Sequence, residues 1–215
     1  SASSSPGTYA RNAAFGNFSS IQNAFNAFAA GDTNSIEGSV LQRGGFAIGS
    51  KNKIIDADYA FASGRFNSSS GDYSFSEGSG SKASGTISHA GGQGTTASGY
   101  SSWAIGKETV SSGEYTLAGG LLASASGDHA VTFASSGSLA QGRFSAVIAA
   151  NHASALANYS AVIGALTLDS KATGEGSVVV AGERSINEGK SSLSSKNGRI
   201  HPTATGSVAF QSGAV

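Results

Sequence analysis

The stretch TTASGYSSWAIG, residues 95–106, carries no charge, no cysteine and no catalytic group, yet versions of it recur. GDYSFSEG stands at 71–78, GEYTLAGG at 113–120 and NYSAVIG at 158–164. Its two glycines, Gly99 and Gly106, belong to two ladders. Gly71, Gly85, Gly99, Gly113 and Gly127 are 14 residues apart at every step. Gly64, Gly78, Gly92, Gly106 and Gly120 keep the same step, and Ala134 takes the next place. Two interleaved ladders mark a repeat architecture, which must be recognised before local propensities are read.

With small insertions the second ladder extends both ways. Ala149, Gly164, Ala181, Ser195 and Gln211 continue it, and Gly49, Gly31 and Gly16 precede it, at steps of 14 to 18 residues. The chain divides into irregular coils over 1–43, regular coils over 44–164 and longer, more charged coils over 165–215, as one continuous solenoid.

The five residues before each marker read YAFAS, YSFSE, ISHAG, SSWAI, YTLAG, HAVTF, FSAVI and YSAVI. The pattern is aromatic or β-branched, small, apolar, small, which predicts a strand. Side chains alternate along a strand, so the first, third and fifth residues are expected on one face. That stripe holds Tyr59, Phe61, Tyr73, Phe75, His89, Trp103, Tyr115, Phe144 and Tyr159, with Ile105, Leu117, Phe133, Ile148 and Ile163. The opposite face is Ser, Ala or Thr, with Val147 and Val162 later. After each marker a polar segment carries a second short strand and ends at Gly71, Gly85, Gly99, Gly113 or Gly127. These are expected to be turn glycines at positive φ, as tight corners require.

Two strands and two turns make one coil. Coils stack about 4.8 Å apart, so about 14 of them give roughly 65 Å. Ser (41), Ala (35) and Gly (31) together supply about half of the 215 residues, which suits a flattened roll with its small face inward. Low-complexity disorder is the competing reading of that composition, but disordered chains are usually charged, and only 12% of this chain is. If the small face is inside, the apolar stripe points out. An exposed stripe of this kind invites association, most simply as a parallel homotrimer. The reverse assignment of the faces weakens that argument.

YSSWAIGKETVSSGEY, YSFSEGSGSKASG and SHAGGQGTTASGYS resemble the 14-residue head repeats of YadA-like trimeric autotransporter adhesins. They are equally similar to repeats of bacteriophage tail fibres and neck appendages. The resemblance spans about 44–164 and implies a left-handed parallel β-roll, three chains to a shaft or head, outside the cell on a virion or bacterial surface. It implies no catalytic motif. Glu77, Gly91 and Gly119 depart from the Ile-like residue common at that position of adhesin heads, and the tyrosines lean toward the phage type.

The remaining features exclude function classes. Thirteen basic and thirteen acidic residues give no field for nucleic acid. No apolar run approaches a membrane span. SASSSPGTYA, residues 1–10, lacks the features of a signal peptide, and there is no cysteine for a disulfide or thiolate metal site. His89, His129, His152 and His201 form no ligand pair by ladder position. Asp56, Asp58, Asp72, Asp128 and Asp169 read as turn caps rather than calcium ligands. Glu77, Glu108, Glu114, Glu175 and Glu183 offer no carboxylate pair for glycan cleavage. Glu77 is expected on the apolar face, with Lys82 or Arg65 as partner. His89 and Trp103 share a column on adjacent coils and are expected to stack, at a chain contact or against sugar. Charge concentrates at Glu183, Arg184, Glu188, Lys190, Lys196, Arg199 and His201. No metal or cofactor site is expected. The leading expectation is a non-enzymatic, extracellular trimeric fibre module, a shaft or receptor-binding part of a phage tail fibre. Its partners are its own copies and a cell-surface glycan or protein receptor. An adhesin head, a self-assembling filament subunit and a glycan-cleaving tailspike are the alternatives.

Overall fold

The computed structural model describes residues 11–165, 170–180, 184–195, 199–201 and 203–210. Ala181, Gln211, Asp169, Glu183 and Lys196 lie outside the described residues. The chain falls into two compact units, one ending at Lys107 and the other beginning at Glu108. Each is a β-solenoid of parallel strands, and there is no helix among the described residues.

In the first unit a wide sheet stacks Ala13–Phe15, Phe28–Asp32, Phe46–Ser50, Phe61–Arg65, Phe75–Ser79, His89–Gln93 and Trp103–Lys107 in chain order. A narrow sheet stacks Ser20–Phe25, Ser35–Arg43, Lys53–Ile55, Ser68–Ser69, Lys82–Ala83 and Thr96–Ala97. The chain alternates between the sheets, one strand of each per coil. Register keeps like beside like: Phe61 pairs with Phe75, Phe75 with His89 and His89 with Trp103.

The second unit repeats this plan. Leu117–Leu121, Val131–Ser136, Ala146–Ile148, Ala161–Ile163, Val178–Val180, Leu193–Ser195 and Val208–Phe210 form its wide sheet. Val110–Ser111, Ser124–Ala125, Leu139–Ala140, Ser154–Ala155, Lys171–Ala172, Ile186–Asn187 and Arg199–Ile200 form its narrow one. A β-bulge interrupts the pairing between Leu117–Leu121 and Val131–Ser136, where Gly120 pairs with Ser135. The ladder position of Ala134 is thereby offset by one residue.

The small face points inward, as the composition suggests. Ala62, Ser76, Ala90 and Ala104 of the wide sheet and Ser69, Ala83 and Ala97 of the narrow sheet are fully buried. The filling is complementary across the interior. Ile21, Ile36 and Ile54 on the narrow sheet are buried with Ala29, Ala47 and Ala62 on the wide one. Val147, Val162 and Val179 on the wide sheet are buried with Ala140, Ala155 and Ala172 on the narrow one. A large residue on one side is met by a small one on the other, which keeps the interior close-packed at nearly constant width. In Ser76's coil the two facing serines instead bond each other, Ser69 Oγ to Ser76 Oγ at 2.7 Å.

The positive φ expected of the Gly71–Gly127 ladder falls on the other ladder. Gly64, Gly78, Gly92, Gly106 and Gly120 hold φ between 92° and 132°. Gly71, Gly85, Gly99, Gly113 and Gly127 are not at positive φ. They do open turns, as Ser74 N–H to Gly71 C=O at 3.2 Å shows. What requires glycine there is close approach: a Cβ on Gly71 would overlap the Gly85 carbonyl, and one on Gly113 would lie 2.6 Å from the Gly127 carbonyl oxygen.

Candidate functional site

Tyr59, Tyr73, Tyr115 and Tyr159 are not strand residues, contrary to the strand reading of YAFAS and its relatives. Tyr59, Tyr73, Tyr115, His129, Phe144 and Tyr159 all lie at φ between 54° and 59°, in the turn before the strand. The wide strand begins two residues later, at Phe61, Phe75, Leu117, Val131, Ala146 and Ala161. A left-handed conformation costs an L-residue roughly 1–2 kcal/mol. The stack offsets this strain through hydrogen bonds between coils. Tyr73 N–H donates to Asp58 C=O at 2.8 Å, and Phe144 N–H to Asp128 C=O at 2.9 Å. Aromatic packing adds to it.

The expected single stripe therefore splits into two. In the first unit the sheet stripe runs through Phe28, Phe46, Phe61, Phe75, His89 and Trp103. Ring centroids of Phe28 and Phe46 are 5.0 Å apart, those of Phe46 and Phe61 5.3 Å, and those of Phe61 and Phe75 4.5 Å, each pair stacked. His89 and Trp103 are neighbours, as the ladder predicts, but meet edge-on at 5.1 Å and 64° rather than stacked. The corner stripe there pairs Tyr59 with Tyr73 at 5.3 Å. In the second unit the corner stripe is longer: Tyr115, His129, Phe144 and Tyr159 stack at 5.1, 4.5 and 5.3 Å. The sheet stripe of that unit is mostly aliphatic, with Phe133, Ile148, Ile163 and Val180 exposed. Tyr59 (52% exposed), Trp103 (49%) and Tyr159 (57%) show how open these surfaces are in the single chain.

Glu77 lies on the outward sheet face, but its partner is neither Lys82 nor Arg65. Its Oε1 is 3.4 Å from His89 Nε2, and the Glu77 side chain is about half exposed. His129 sits in the corner stripe, His152 beside Asn151 and His201 beside Thr203, so the histidines remain apart. No three His, Cys, Asp or Glu side chains cluster as metal ligands among the described residues. The C-terminal charges pair locally, Arg199 with Glu188 at 3.6 Å and Lys190 with Glu175 at 3.5 Å.

The aspartates cap turns from one coil to the next. Asp72 Oδ1 accepts the Asp58 N–H and Asp58 Oδ1 the Arg43 N–H, both at 2.8 Å. Asp128 Oδ1 accepts the Glu114 N–H at 3.1 Å. Asp56 accepts the Ser39 N–H, which holds its carboxyl below the usual range.

A buried polar ladder escapes the sequence reading. Asn34, Asn52 and Asn67 are fully interior at the other corner. Asn52 Nδ2 donates to Ile48 C=O at 2.8 Å and Gly64 C=O at 2.9 Å. The signal for it exists: each asparagine follows a ladder glycine, Gly31, Gly49 or Gly64, by three residues. In later coils Ser81, Thr95 and Thr109 take that place.

What the two units present outward is surface: exposed apolar and aromatic columns on a hydrogen-bonded scaffold. No protein-family model matches this chain, and no curated protein matches it.

Proposed function

We propose that the chain is a non-enzymatic, extracellular fibre module that assembles as a parallel homotrimer, serving as shaft or receptor-binding part of a phage tail fibre. In this reading its coils of about 14 residues wind as a left-handed β-roll. The observation that carries the proposal is the outward face of the wide sheets. Each large apolar side chain removed from water is worth roughly 1.5–3 kcal/mol. A column such as Phe133, Ile148, Ile163 and Val180, each 39–52% exposed, is far more than a lone surface apolar residue. A threefold contact with chains in register would cover the same column on every copy. The resemblance of 44–164 to phage and adhesin repeats supports the same assembly. Sedimentation equilibrium at micromolar concentration tests it: a mass three times that of the 21.2 kDa chain is expected, and a stable monomer sinks the reading.

A further inference from the structure

The first unit carries a second surface feature, on the corner opposite the tyrosines. A groove of about 390 Å³ is lined by Thr33, Lys51, Lys53, Phe66, Asn67 and Ser68. That volume is in the range of small-molecule sites. We propose that it binds a carboxylated sugar ring of an acidic polysaccharide. The proposal deepens the receptor-binding reading above and rests on it.

The floor of the groove is fixed from inside. Lys51 and Lys53 flank the buried Asn52 on one coil, and Phe66 and Ser68 flank the buried Asn67 on the next. Asn52 Oδ1 accepts the Asn67 N–H at 3.0 Å, so the two corners are tied together. The exposed side chains thus stand on a braced backbone, as a preorganised site requires.

Phe66 puts an open aromatic ring into the groove. It is 46% exposed and lies at φ 59°, as Thr33 and Lys51 do at the same corner of the two preceding coils at 56° and 57°, and its N–H donates to the Ser50 carbonyl at 3.0 Å. A half-exposed ring beside cations offers an apolar face that a sugar ring can cover.

The charges around it agree. Lys51 Nζ lies 5.1 Å and Arg65 Cζ 4.7 Å from the Phe66 ring centroid. None of Lys51, Lys53 and Arg65 is in an ion pair among the described residues, in a chain with equal numbers of acids and bases. The nearby Asp32 carboxylate accepts the Thr33 hydroxyl at 3.2 Å. A sugar carboxylate at Lys51 and Lys53, an apolar sugar face against the open part of Phe66 and a sugar hydroxyl at Ser68 use every kind of group the groove offers.

Calorimetric titration of the full chain with oligogalacturonate tests the proposal, with a neutral galactose oligomer of equal length and inorganic phosphate as controls. Binding of the acidic oligomer is expected, weakening as salt is raised, with neither control competing. Phe66→Gly, which relieves the backbone, and the double variant K51A/K53A are each expected to weaken it about tenfold. Absence of binding, unchanged affinity in F66G, or equal competition by phosphate overturns the proposal. A trimer that does not bind sinks this inference alone, whereas a monomer that binds sinks the assembly and leaves the groove.

Discussion

Asn52 Oδ1 accepts the backbone N–H of Asn67 at 3.0 Å, while Asn67 Oδ1 accepts the N–H of Ser81 at 2.8 Å. Each side chain thus satisfies a buried donor on the next coil, and its own amide caps two carbonyls. Removing one amide leaves several buried backbone groups without partners, each costing about 1–3 kcal/mol. Asn52→Ala is therefore expected to lose about 3 kcal/mol of stability in equilibrium denaturation. Asn67→Ser, which imitates the residue at 81, is expected to lose less than Asn67→Ala.

Close approach and positive φ separate by substitution. Gly85→Ala forces a Cβ onto the Gly99 carbonyl, a backbone atom that cannot step aside. Gly80→Ala meets nothing within 4 Å and pays only for its φ of 70°. Gly80→Ala is expected to cost about 1 kcal/mol. Gly85→Ala is expected to cost well over twice that or to prevent folding, read as loss of the β circular-dichroism signal. Equal effects would show that close approach is not what the ladder serves.

The Ser88 hydroxyl is buried without a hydrogen-bond partner, as are those of Ser74 and Ser102 on the neighbouring coils. Thr116 and Ser160 at the same corner instead donate to Gly113 and Ala157 carbonyls, both at 2.7 Å. Ala60 and Ala130 show that alanine fits this place. Ser88→Ala is expected to raise the denaturation midpoint, by up to about 1 kcal/mol in stability, because it removes an unmet polar group. Thr116→Ala is expected to lower it.

Asp56 couples stability to acid. Its carboxyl is held below the usual aspartate range chiefly by the Ser39 backbone N–H. A depressed native pKa means the unfolded state binds the proton first as pH falls. The contribution is complete above the unfolded pKa, declines below it and is lost as pH falls through the folded pKa. Melting temperature followed from pH 6 to pH 2 is expected to fall less steeply for Asp56→Asn than for the parent. The two curves are expected to run parallel above about pH 5.

How much of this is visible in sequence follows from what repetition conveys. The spacing of Gly71 to Gly127 places the coils, and the Ser/Ala alternation gives the interior, because both are periodic properties of the backbone and its burial. The conformation of Tyr73 is not visible, since aromatic–small–apolar alternation suits a strand as well as a left-handed turn followed by one. Which glycine ladder takes positive φ is hidden for a similar reason: Gly64 and Gly71 both meet the carbonyl of the next coil's glycine and differ in backbone conformation, not in residue type. Glu77's partnership with His89 depends on lateral register, with Gly91 beside Glu77 leaving room for the contact. The interior asparagines were legible at their fixed offset from glycine, but their polarity argues for the surface until the hydrogen bonds are seen.

The splitting of the apolar stripe makes the assembly testable face by face. Ile163 lies on the wide sheet between Ile148 and Val180, whereas Tyr159, four residues earlier, stacks on Phe144 at the corner. Both are exposed, at 40% and 57%. If the sheet face is the contact between chains, Ile163→Glu places a carboxylate on the axis in every copy, an unpaired buried charge that association cannot tolerate. The variant is expected to sediment as a folded monomer with unchanged circular dichroism. Tyr159→Ser removes an aromatic from the corner and is expected to leave the trimer intact while lowering its melting temperature by a few degrees. The opposite pattern, a trimer with Glu at 163 and a monomer with Ser at 159, would move the contact to the corner stripe. Monomers in the parent and both variants would remove the reason for reading either stripe as a chain contact.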